Sequence, residues 1–323
     1  MSSRSETVAA PPNLAPAGAV TLPVRRRRPA PRSSYGLPAG VRIALLLSPA
    51  LLVIIVLFLG GFLFGILQSL GYLSLVGDGR FSFDAYRTMV DDPAVRASIL
   101  LTLRVSLLST GISAVLAIAA ALLIRATRRG RRFLTVVFQL NLPVPHVVSA
   151  AAMLLLLQQS GLVSRLTHAA GLTDAPADFP GLTADRFGIA IIASYVWKEV
   201  PFIGVVVLAA LQAGVADYEE VARTLGAGPW ARFRTVVLPI ITPGVLSTSV
   251  IVFSFTFGSY EVPYLLGRSY PATLPVVAYQ SYTDTDLAAR PVAMAEAVFI
   301  AVFVGLLVLL YMRLSDRYLR RMT

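Results

Sequence analysis

From Ile43 to Gly77 the chain carries no charged side chain. An α-helix rises about 1.5 Å per residue and a bilayer core is roughly 30 Å thick, so about twenty such residues are enough to cross it. Five more apolar segments follow near 97–124, 133–158, 187–211, 240–266 and 291–312, and the first crossing is placed near 43–66. The runs are too long and too evenly apolar for barrel strands, and lipid offers no partner to an open strand edge. The expected fold class is therefore all-α: a polytopic membrane protein with six transmembrane helices. Composition agrees, with 56% hydrophobic and 14% charged residues and a mean hydropathy of +0.73. A soluble domain is nearer a quarter charged.

The net charge of +11 is concentrated where the apolar runs end. Arg25–Arg28 and Arg32 precede the first run, Arg125, Arg128, Arg129, Arg131 and Arg132 lie between the second and third, and Arg313, Arg317, Arg320 and Arg321 follow the last. This pattern suits helix ends that meet anionic membrane lipid and argues against nucleic acid as a partner. Six crossings put both termini on one side, and the arginines make that side the cytoplasm. The outward connections then hold Asp78, Asp84, Asp91, Asp92, Asp174, Asp178, Asp185, Asp284 and Asp286. Residues 1–40, rich in Ala, Pro, Ser and Arg, read as a disordered basic cytoplasmic tail ahead of a transmembrane domain over 41–323. The first run is too long for a secretory leader and is expected to stay uncleaved.

One connection, within 216–239, stands out: ADYEEVARTLGAGPWARFRTVVLP. Asp217 is placed to cap a short helix, with Glu220 three residues on as the acid of a capping box. Gly226 is placed to end that helix with a positive φ, and Pro229 to open a second one carrying Trp230 and Phe233. Pro239 and Pro243 are expected to close the second helix and start the next span. The residues alone leave two readings open: a helical knob that fits a protein socket, or an ordinary loop with surface helices.

The stretch resembles the EAA motif of permease subunits of ATP-binding cassette importers. Glu220, Val221, Ala222, Gly226, Val236, Leu238 and Pro239 fall on that pattern at its spacing, with Val221 and Val236 replacing Ala and Ile. The resemblance covers roughly 41–323 and implies a type I importer permease-like fold. It also implies that Glu219, Glu220, Ala222, Gly226, Trp230, Phe233, Leu238 and Pro239 form a coupling region for an ATPase. Within the family, YVWKEVPF at 195–202, FTFGSYEVPYLLG at 255–267 and YPATLPVVAYQSY at 270–282 look most like spermidine and putrescine permeases. Permeases for iron, thiamine, phosphonate or sugar share similar pieces.

Charges within or near the spans need partners, because each costs several kcal/mol if left facing lipid. Arg104, Lys198, Glu199, Glu261 and Glu296 are such charges. Lys198 and Glu199 are expected either in a pathway or in a packing salt bridge, and Pro201 frees a carbonyl nearby. Tyr195, Tyr260 and Tyr264, together with Trp197 and Glu261, are candidates for a cation-binding aromatic pathway. The chain has no cysteine, only two histidines (His146 and His168), and no GxxxxGKS/T loop. No catalytic or metal site is therefore expected, no cofactor is expected on this chain, and ATP and magnesium would belong to partner subunits. The resemblance implies two cytoplasmic ATPase subunits, a second permease or a second copy, and an extracytoplasmic solute-binding protein, all at a bacterial inner membrane. A secondary transporter and a non-transport scaffold are the competing classes.

Overall fold

The computed structural model describes residues 39–72 and 79–320, the side chains of Ala39 and 316–320 apart. The expected tail before Ala39, Asp78, and the side chains of Arg317, Arg320 and Arg321 lie outside the described residues.

Among the described residues the structure is helical and has no strand. Six helical stretches are long and apolar enough to cross a membrane: Gly40–Ser69, Pro93–Ala126, His146–Ala169, Ile189–Gln212, Pro229–Gly258 and Leu287–Ser315. Two compact units divide the chain after Val53. The first contains α1 (Ala39–Val53), whose apolar side chains are exposed throughout. The second continues through a π-helical turn, Ile54–Leu59, into α2 (Gly60–Ser69).

Within the second unit, α3 (Asp84–Asp91) leads into α4 (Pro93–Ala126). Asp92 caps α4 by accepting from the Ala94 N–H at 2.7 Å, and Pro93 fills the first turn, where a missing N–H costs nothing. Along α4, Ser98, Thr102, Ser106, Ser109, Ser113, Ala117 and Ala121 are buried at spacings of three and four. Small side chains on one face let backbones approach closely where lipid provides no hydrophobic drive between helices. The stripe packs against α8 (Ile189–Gln212), α11 (Leu238–Gly258) and α13 (Leu274–Thr283). Thr102 Oγ1 also accepts the Leu274 N–H at 2.8 Å, satisfying an orphan donor at the start of α13. At Gly204 a Cβ would land 2.5 Å from the Phe138 ring, so any larger residue there would have to displace that ring where α8 meets the third span.

The third span differs from expectation. A continuous helix was predicted over 133–158, but α5 (Arg131–Gln139) stops and α6 (His146–Leu157) starts only after a turn at 140–145. Pro143 and Pro145 explain the break: neither supplies an N–H, and each ring disfavours a helical residue before it. A short helix, α7 (Leu162–Ala169), follows. The fifth span, 240–266, is interrupted where Gly258 and Pro263 lead one to expect an irregular helix: α11 ends at Gly258, and α12 (Glu261–Leu266) begins beyond Ser259 and Tyr260.

The two prolines at 239 and 243 do not separate helices as expected. α10 (Pro229–Arg232), a π-helical turn over Phe233–Val237, and α11 form one run. Wide turns of this kind absorb the carbonyl that a following proline cannot bond. The last helix, α14 (Arg290–Arg320), packs on α2, α3, α11 and α13.

Candidate functional site: an exposed knob and two helix breaks gathered on the fourth span

The knob grows directly from α8. Gly214, at φ +91°, turns the chain into α9 (Val215–Thr224), whose first residue, Val215, is fully buried with Leu211, Ile124, Val237 and Ile241. Glu219 forms an ion pair with Arg125 at the end of α4, tying α9 to the base of the second span. At its far end α9 closes in a Schellman motif: the Gly226 N–H donates to the Arg223 carbonyl at 3.0 Å and the Ala227 N–H to that of Ala222 at 3.0 Å. Gly226 has φ +85°, the conformation its position in the sequence predicts. The expected capping box is absent. Gly214 occupies the N-cap and Asp217 sits inside the first turn. Glu220 instead points outward and pairs with Arg223 at 2.6 Å.

The apolar side chains of the knob are uncovered. Leu225 is 83% exposed and Trp230 70%, with Tyr218 and Val221 close behind. Trp230 stacks on Phe233 at 5.5 Å, and Phe233 and Leu238 pack against the buried cluster below. Tyr218, Val221, Ala222, Leu225, Val236 and Pro239 border an open cleft of about 480 Å³ between α9 and the start of α11. Of the seven motif positions, Val221, Ala222, Val236 and Pro239 border this cleft, Glu220 and Gly226 are exposed, and Leu238 packs inward.

The intramembrane charges are arranged differently. Lys198 is buried, and its Nζ donates to the carbonyls of Asn141 (2.7 Å) and Leu142 (3.0 Å) in the break of the third span. The Asn141 amide donates in turn to the Trp197 carbonyl at 2.7 Å. That carbonyl lies four residues before Pro201, whose missing N–H leaves it free. Glu199, also buried, bonds His146 Nε2 at 3.0 Å on the first turn of α6, and the His146 ring lies 4.5 Å from Phe255 of α11. Lys198 and Glu199 do not pair with each other in these contacts; each fastens one end of the third-span break. Asn141 and His146 were missed by sequence reasoning, although Pro143 and Pro145 signalled that backbone groups there would need partners.

Tyr195 is fully buried among Leu101, Val105, Ala150 and Leu266 and lies in the core rather than on an open aromatic wall. Trp197 lies on a separate cleft with Phe138, Asn141 and Pro201. Tyr260 and Tyr264 do come together, 5.0 Å apart, with a third ring from Tyr279 at 4.5 Å from Tyr260. Glu261 opens α12 beside them, exposed, and its carboxylate accepts a long hydrogen bond of 3.4 Å from Ser259. Arg104 lies over the Phe187 ring at 5.1 Å. Glu296 is buried at 1% exposure, with one carboxyl oxygen lacking a hydrogen bond among the described residues.

The structure is thus a multi-span helical bundle with broken spans and an exposed helical knob. The chain belongs to the family of binding-protein-dependent transport system inner membrane components, whose model matches residues 113–322. It is accordingly a multi-pass inner-membrane permease subunit of an ATP-binding cassette importer. It is 31% identical to a molybdenum transport system permease protein of Mycobacterium tuberculosis over 215 residues, which is 65% of this chain and 77% of that one. Over 243 residues it is 29% identical to a thiamine transport system permease protein of Brucella suis, covering 74% of this chain and 41% of the other. In fold it is similar to a chain of a bacterial importer of the acidic polysaccharide alginate, with a TM-score of 0.70 at 24% identity over 86% of this chain and 97% of that chain. The finer expectation of a spermidine or putrescine permease is not carried by these relatives, whose names span molybdenum, thiamine and sugars.

Proposed function

We propose that this permease works with two cytoplasmic ATPase subunits, a second permease chain or a second copy of itself, and an external solute-binding protein. ATP and magnesium would be held by the ATPases, with no cofactor on this chain. Both termini and the 125–132 connection would face the cytoplasm. The observation that carries the proposal is the knob: its apolar residues are uncovered while its base is fixed by Val215 and by the Arg125–Glu219 pair. A rigid base lets a push on α9 and α10 reach α4, α8 and α11 as displacement instead of being absorbed by a soft loop. Inward- and outward-facing states would need a bistable interface for such a displacement to switch.

For the solute, the exposed Tyr260, Glu261, Tyr264 and Tyr279 cluster supports a small organic cation such as a polyamine, because a carboxylate among aromatic faces attracts positive charge. A second reading, an oxyanion, is favoured by the molybdenum permeases among the relatives. Lys198 offers an oxyanion little, since its ammonium is already bonded to two carbonyls. The test is ATP-dependent uptake by vesicles holding the whole complex, with labelled putrescine and molybdate compared at equal concentration. Putrescine uptake that falls in Glu261→Gln supports the first reading. Molybdate uptake indifferent to Glu261 replaces it with the second. Absence of ATPase in the purified complex would remove the coupling assignment itself.

A further inference from the structure

The arginine-rich connection between the second and third spans builds a second cleft that the knob does not use. Gly130, at φ +78°, turns the chain into α5, so Arg131 and Arg132 open that helix facing Gln212, the last residue of α8. Arg131, Arg132, Thr135, Val136 and Gln212 border a cleft of about 550 Å³. Neither arginine has an acidic partner among the described residues. Glu219, on the helix that continues from α8, is already paired with Arg125. Below the cleft, α5 exposes an apolar face: Phe133 is 70% exposed, Leu140 63% and Val136 59%. Two unpaired guanidinium groups at a span end, a polar amide and hydroxyl between them, and an apolar helix face running away toward the bilayer match a headgroup and its acyl chains in register.

We propose that this cleft is a binding site for one anionic phospholipid, with Arg131 and Arg132 on the phosphate, Gln212 on the headgroup hydroxyls, and the Phe133–Leu140 face along the acyl chain. The site depends on the chain spanning a membrane and not on the solute it carries or on the ATPase it binds. Two arginines without an acidic partner beside an exposed apolar face favour an amphiphilic anion, a lipid, over a protein partner.

The full-length protein in detergent, titrated with phosphatidylglycerol, phosphatidylcholine or inorganic phosphate, would be examined by native mass spectrometry. The expected result is one phosphatidylglycerol per chain retained under activation that strips phosphatidylcholine. Arg131→Gln with Arg132→Gln should lower that retention by about thirtyfold, two basic contacts being removed from an anionic group. Val136→Trp keeps both charges but fills the cleft, and should lower retention as well. It stands as the independent variant if the double substitution fails to fold. Equal retention by wild type and the double variant overturns the site, as does normal retention by Val136→Trp. Displacement of the lipid by millimolar inorganic phosphate would reassign the cleft to a free anion. Displacement by added partner ATPase would reassign it to a protein interface.

Discussion

The knob and the Lys198–Glu199 pair that clasps the third-span break lie on consecutive helices, α8 and α9, yet the two regions treat polar and apolar groups in opposite ways. At the clasp, Lys198 and Glu199 are buried and bonded on both sides of the 140–145 break, and a carbonyl released by Pro201 is taken up by Asn141. Between 19 and 31 residues after Glu199, on α9 and α10, Tyr218, Val221, Leu225 and Trp230 stand exposed. Lys198 and Glu199 spend hydrogen bonds on the break itself, as buried charges must, whereas an exposed apolar side chain on a fixed base is stable only when something covers it. The first arrangement fastens helices to one another; the second waits for a partner. Residues singled out for the same reason, their chemistry being out of place in a membrane or a loop, thus divide into internal fasteners and external contacts.

The largest effect is expected at the knob. Gly226→Val places a β-branched residue at φ +85°, where only glycine sits without strain, and should open the Schellman closure and displace Trp230. Coupled uptake should fall to background, with the ATPase lost on purification and the permease still inserted. No heavy atom lies within 4 Å of a Cβ built at this position, so the internal cost is conformational. Gly226→Asn, which tolerates that φ, should therefore keep most of the ATPase attached. If Val and Asn fail equally, the space belongs to the partner's surface and not to the turn.

The clasp should respond in stability rather than in attachment. Lys198→Met removes the donor to two part-buried carbonyls, each costing up to about 1–3 kcal/mol when left unbonded. The expected loss is about 3 kcal/mol, seen as a lower midpoint in thermal unfolding of the detergent-solubilised protein, with ATPase still bound to whatever remains folded. Asn141→Ala, which orphans the Trp197 carbonyl alone, should cost about half as much. An unchanged midpoint in both variants, with uptake of the solute impaired, would return Lys198 to the translocation pathway.

How far these regions were legible in the sequence follows from how local their causes are. Gly226 was legible because a helix end imposes a requirement on one residue, and the knob's uncovered face because aromatic and branched residues have no reason to recur in a polar loop. The fate of Lys198 was not, since its partners are backbone carbonyls 56 and 57 residues away. The interruption itself was signalled by Pro143 and Pro145, but the continuous apolar character of 133–158 outweighed them. Glu220 misled in the opposite direction: the spacing from Asp217 suited a capping box, but the chain enters α9 through Gly214, three residues earlier than the acid pattern suggests.

A smaller effect is expected at Glu261, where Gln keeps size and hydrogen bonding while removing charge. If the tyrosine cluster guides a cation, the concentration for half-maximal uptake should rise several-fold, with ATPase attachment and unfolding midpoint unaltered. A shift in the unfolding midpoint instead would make Glu261 a fastener of the α11–α12 break, grouping it with Lys198.

The smallest effect separates two roles at the knob. Glu220 makes no cap contact, and its exposed pair with Arg223 contributes about 0.2–0.5 kcal/mol to α9. If that pair were its whole role, Glu220→Ala and Arg223→Ala would be equivalent, both leaving uptake close to normal. Glu220 also stands on the outward side of the helix that carries Val221 and Ala222, where a partner's basic group can reach it. A direct contact predicts that Glu220→Ala weakens ATPase binding a few-fold while Arg223→Ala does not, and that raising salt erases the difference, because exposed ion pairs are screened. Binding of purified ATPase to both variants at low and high salt decides between the two roles: a difference that persists at high salt excludes a simple charge contact, and no difference at low salt leaves Glu220 as an ornament of α9 alone.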